Sequence, residues 1–116
     1  MSLDVGLFLP YTTIDGEHKR IHVFERNVTH NLALMARAVG IHKACWRPDE
    51  IGYTHARDLV PALEAGLARL EGDGPDAFRE YEPENGWGTW STLCAFVEAY
   101  LDACREYPDA EISVSR

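Results

Sequence analysis

One stretch narrows the possible folds more than any other. Trp90, Leu93, Cys94, Val97, Tyr100, Leu101 and Cys104 fall within one arc of a helical wheel, the pattern of a helix with a single apolar stripe. Such a helix needs a second layer to cover that stripe. Thr89 stands where an N-cap is required, since its hydroxyl can accept from a backbone N–H of the first turn. Tyr107-Pro108-Asp109 then turns the chain into residues 110–116, where Ile112 and Val114 alternate with Glu111, Ser113 and Ser115. That alternation predicts a strand.

The covering layer is found at the other end of the chain. Leu3, Val5, Leu7 and Leu9 alternate with Asp4, Gly6 and Phe8, the period of a strand with one face in the core. Residues 10–17, with a proline and Asp15-Gly16, predict a turn into an antiparallel partner over residues 18–26. On that partner Ile21 and Val23 are expected to face one way, and His18, Arg20, His22 and Phe24 the other. Leu32, Met35, Ala36 and Val39 predict a short helix ended by Gly40, with a further turn over 41–46 closed off by Arg47-Pro48. Leu59, Leu63, Leu67 and Leu70 predict a second helix, expected to start at Asp58 so that Pro61 falls in its first turn.

The order β-β-α-α-α-β predicts one α+β domain over residues 1–116, in two layers: a three-stranded sheet of order 2-1-3 with three helices on one face. Phe8, Phe24, His18, His22 and Ser113 would then lie on the uncovered face. An open aromatic face predicts self-association, so a homo-oligomer is expected.

Composition removes several classes of function. No stretch approaches the ~20 apolar residues of a membrane span, and the N-terminus lacks the basic region of a signal peptide, so a cytoplasmic protein is expected. A formal net charge of -8 argues against DNA or RNA, whose binding needs clustered Lys and Arg, although a small local basic pocket stays compatible with it. Cys94 and Cys104 lie ~15 Å apart along one helix, too far to pair, and reduced thiols are expected. His18 and His22 lie ~13 Å apart on a strand, and no ligand pair of metal-site spacing exists, so no metal, cofactor or catalytic residue is assigned.

Two segments concentrate groups that can hold a ligand. Asn27, Thr29, His30 and Asn31 form a polar elbow where a strand stops and a helix starts, and there unpaired backbone N–H groups favour an anionic ligand. The same groups can equally cap the helix or serve the core. Asn85-Gly86-Trp87-Gly88 frames an indole with glycines, placing it to stack on a base or to plug the core. Trp46 with Arg47 offers a similar stacking and anion pair. Glu80, Glu82 and Glu84 are expected to form a solvated acidic rim.

These motifs also carry a resemblance. Asn27-Val28-Thr29-His30-Asn31-Leu32 with Met35-Ala36, then Trp46-Arg47-Pro48-Asp49-Glu50, then Asn85-Gly86-Trp87-Gly88, and the ending Pro108-Asp109-Ala110-Glu111-Ile112-Ser113-Val114-Ser115-Arg116 resemble a group of small uncharacterised proteins encoded in phage and prophage genomes and by some bacteria. The resemblance implies a viral or mobile-element origin and brings no activity with it. Several functions are therefore expected from the residues as alternatives. One is a binding protein holding a compact nucleotide-like ligand between the elbow and Trp87, sequestering a host defence signal. Another is an acidic interaction module that inhibits a host enzyme; a structural protein with no ligand and a small hydrolase using His30 with a carboxylate are the remaining alternatives, the last without any spacing that shows a base in reach of a substrate.

Overall fold

The computed structural model describes residues 2–116. β1 (Ser2–Thr12) and β2 (His18–Thr29) form a long hairpin. A 3-10 turn (His30–Leu32) leads into α1 (Ala33–Ala38), followed by α2 (His42–Trp46) and a second 3-10 turn (Pro48–Ile51). α3 (Ala56–Asp73), a 3-10 segment (Pro75–Tyr81), α4 (Trp90–Glu106) and β3 (Glu111–Ser115) complete the chain. The sheet has the order β2-β1-β3, with both neighbouring pairs antiparallel. This is the α+β arrangement that the alternating and helical periods predict. As the sequence predicts, Gly40, with φ of 79°, ends α1, and α2 supplies the further helical turn before Arg47-Pro48.

One face of the sheet is covered. Leu3, Val5 and Leu7 of β1 are at most 2% exposed and join a cluster with Leu59 and Leu63 of α3 and Leu93, Val97 and Tyr100 of α4. The predicted facing of β2 is corrected by a β-bulge. Leu7 pairs with Phe24 but Phe8 pairs with His22, leaving Val23 as the extra residue. One inserted residue reverses the alternation, so Phe24 sits on the helical side and stacks on Tyr100 (centroids 5.6 Å apart, planes 7° apart). The uncovered face is consequently more polar than predicted. Phe8 remains there between Arg20, 4.2 Å from its ring centre, and His22, at 3.9 Å. The aromatic argument for self-association through this face loses Phe24.

The hairpin tip extends past the helical layer: Tyr11, Ile14 and Ile21 are exposed, and the molecule measures 55 × 27 × 23 Å. α3 begins at Ala56, two residues before the predicted start. Asp58 Oδ2 accepts from the backbone N–H groups of Thr54 and His55 (both 3.0 Å), which makes Asp58 a third-position capping carboxylate rather than the first residue of the helix. Those two donors also hold its carboxyl below the usual carboxylate range. Pro61 therefore lies inside α3.

Candidate functional site

The elbow is tighter than an open strand-to-helix junction. β2 runs through Asn27, Val28 and Thr29, so the turn begins only at His30. Asn27 Nδ2 donates to Ser2 Oγ (2.8 Å) and Asp4 Oδ1 (2.7 Å), bracing the hairpin across its uncovered face. Thr29 Oγ1 accepts from Asn31 N at 3.2 Å. The cap is thus supplied from within, and the helix that follows has six residues, too few to build a sizeable dipole.

His30 and Trp46 are brought together. Trp46 Nε1 donates to His30 Nδ1 at 3.0 Å. An indole N–H can only donate, so His30 Nδ1 carries the lone pair and the neutral ring has its proton on Nε2. Trp46 is 4% exposed, and His42 lies against its ring (centroids 5.4 Å apart, planes 16° apart). The predicted role of Trp46 as a stacking surface for a ligand is corrected by this burial: its ring is consumed by packing and its one polar atom by His30. Arg47 stays exposed and pairs with Glu50 at 2.8 Å, so the two residues do not act as one stacking and anion unit.

The second pair of segments does converge. Asn31 Nδ2 donates to the Trp87 carbonyl at 3.2 Å, across 56 residues of chain. Trp87 N donates to Asn85 Oδ1 at 2.9 Å, closing an Asx turn. Both backbone polar groups of Trp87 are therefore held by side chains, while its indole is 71% exposed. Gly88, with φ of 111°, lies against Thr29 and Leu32: a Cβ there would come within 2.9 Å of Thr29 Cγ2 and 3.0 Å of Leu32 Cγ. Only glycine permits both the backbone angle and the approach. The loop is docked on the elbow and its aromatic ring points outward.

Two neighbours of this site escape a reading of the sequence. Glu82 is not part of a free acidic rim: its Oε1 accepts from Trp90 N at 2.9 Å and caps α4 beside Thr89, whose Oγ1 accepts from Thr92 N at 3.2 Å. Arg116 donates to the Trp46 carbonyl (3.1 Å) and to Asp49 Oδ1 (2.9 Å) at the edge of a 520 Å³ hollow floored by Ile112, Val114 and Tyr53. That hydrogen bond holds the Asp49 carboxyl below its usual range. A terminal arginine gives no local signal of a partner 67 residues away, so only the fold reveals it.

Nucleophilic chemistry has little support in the core. Burial pushes the Cys104 thiol up to about 12 and the Cys45 thiol further, and a thiol is a poor nucleophile until ionised. Among the described residues no three His, Cys, Asp or Glu side chains gather closely enough to hold a metal ion, and no helix is long and apolar enough to cross a membrane. Comparison with protein-family models, curated proteins and solved structures finds no match to this chain.

Proposed function

We propose that this protein is a small phage-type binding module that uses Trp87 and the elbow to hold a compact nucleotide-like ligand, sequestering a host signal in the host cytoplasm. The observation that carries the reading is the geometry of Trp87: an exposed indole on a backbone fixed at both N–H and C=O. Holding the backbone that carries an exposed aromatic ring lowers the entropy lost when a ligand stacks on it. His30 Nε2–H and the Asn31 amide supply polar groups in the same segment as the loop's docking surface. A nucleobase offers both the flat face and the hydrogen-bonding edge that such a site takes.

A thermal-shift panel of nucleotides and cyclic nucleotides tests this. Ligand at about 100 times its Kd adds ~2.7 kcal/mol to stability, which is roughly 10 °C for a domain of this size. Trp87→Ala should remove that shift and leave the unliganded melting temperature close to wild type. If no nucleotide shifts the protein, and Trp87→Ala and Asn31→Ala are folded and indistinguishable from it, the reading ends.

The net charge of -8 favours a second reading, an acidic module that blocks a host enzyme. A stoichiometric host protein recovered with the wild type and with Trp87→Ala alike would favour it. Self-association now draws on the two outer strands, each paired on one side only, and light scattering at micromolar concentration measures it.

A further inference from the structure

The positive charges of this acidic chain are unevenly employed. Of 11 Lys and Arg residues, seven form ion pairs with carboxylates, and Arg69 donates to the Ala38 carbonyl. Among the described residues, Arg26, Arg37 and Lys43 remain without a carboxylate partner. Arg37 and Lys43 line the same solvent-open hollow, about 470 Å³ in volume, together with Gly40, His42 and Ile51. In a chain with 19 acidic residues, two cations on one hollow with no carboxylate in ion-pair contact are a charge that a small anion would complement.

The hollow has the form of a site as well as its charge. Gly40 ends α1 with φ of 79°, and nothing lies within 4 Å of where its Cβ would be, so the floor is bare backbone. Ile51 is 38% exposed beside it and gives an apolar patch. His42, which lines the same hollow, is held flat against the buried Trp46 ring, so its imidazole has a fixed orientation there. Burial lowers the pKa of His42 first, and Arg37, Arg47 and Lys43 lower it further against the opposing Glu50.

We infer that the Arg37–His42–Lys43 hollow is a binding site for a small phosphate-bearing molecule, separate from the Trp87 loop. The guanidinium supplies planar paired donors and the ammonium a point charge for the phosphate oxygens. Gly40 and Ile51 receive the less polar remainder. A long nucleic acid is disfavoured by the charge of the whole chain, so the class is a free small molecule.

Calorimetric titration of the full chain with inorganic pyrophosphate, at fixed low ionic strength, tests the inference. Saturable one-to-one binding is expected, about tenfold weaker in Arg37→Gln and again in Lys43→Gln, and unchanged in Arg26→Gln, which removes the other unpartnered cation. Binding should tighten as the pH falls below the ordinary histidine value of 6.5, because protonated His42 adds a third charge facing Arg37, Lys43, Arg47 and Glu50. Pyrophosphate itself takes up a proton in this range, so the readout is the difference from His42→Phe, which keeps a ring on Trp46 and should tighten less than wild type as the pH falls. Absence of saturable heat would overturn the site, as would undiminished binding in the Arg37 and Lys43 variants or an equal loss in Arg26→Gln.

Discussion

Replacing Tyr100 with phenylalanine should make this protein more stable, and the structure says by how much. Tyr100 is fully buried, with its ring between Phe24 at 5.6 Å and Phe96 at 5.7 Å. Its hydroxyl is the one buried side-chain polar atom without a hydrogen-bond partner among the described residues. Leaving such a group unsatisfied costs about 1–3 kcal/mol, whereas removing it with the shape preserved is neutral or stabilising. Phenylalanine keeps both ring contacts, so Tyr100→Phe is expected to gain about 1 kcal/mol. Unfolding entropy of about 2.1 cal/mol/K per residue gives roughly 0.24 kcal/mol/K for this chain, and the gain becomes a rise of ~4 °C in Tm. Urea unfolding should show a higher midpoint at unchanged slope. Burial also holds the Tyr100 phenol well above its ordinary range, so alkaline titration followed by phenolate absorbance should show a phenol that stays silent until the protein unfolds and that the variant lacks. A fall in Tm of 1 °C or more would refute the reasoning, because it would mean that the hydroxyl has a partner whose loss matters.

Tyr100, Cys45 and Cys104 all have raised folded pKa values; the unfolded chain releases these protons first, so stability is intact below the ordinary thiol value of 9.0 and declines above it, by up to ~1.4 kcal/mol per pH unit per group. Melting at pH 8 and pH 10 measures the slope, and a flat profile would contradict it. Gly66→Ala, a substitution that normally favours a helix, should destabilise by ~1–3 kcal/mol, because a Cβ there collides with Ile41 Cγ2. His30→Phe should cost about 1–3 kcal/mol by stranding the buried Trp46 N–H; a Tm equal to wild type would show that the indole finds another acceptor. Gly88→Ala should loosen the Trp87 loop while leaving the sheet intact, seen as faster amide exchange confined to residues 84–90.

The period-two runs at Leu3–Leu9 and Ile112–Val114 and the stripe from Trp90 to Cys104 are local patterns, and they carried the architecture and the strand order. The Thr89 cap and the stop at Gly40 were readable for the same reason, since both depend on neighbouring residues alone. α3 starts two residues earlier than the position of Pro61 predicts, because an acid at the third position of a helix is itself a capping signal and Asp58 fills that place. The elbow and the glycine-framed tryptophan are both visible as polar or flexible islands, but their contact rests on a long-range hydrogen bond from Asn31 to the Trp87 carbonyl and on the packing of Gly88 against Thr29 and Leu32.

Residue order alone was enough to decide which segments alternate, which spiral, and therefore that helices must cover one side of a small antiparallel sheet. It could not decide which way Phe24 points, because one extra residue at Val23 reverses a two-residue period and leaves no mark in composition. Nor could it separate Trp46, sealed in the core, from Trp87, held out in solvent, or set Arg37 beside Lys43 without carboxylates. Those outcomes depend on which distant atoms arrive next to each side chain, and only packing determines that.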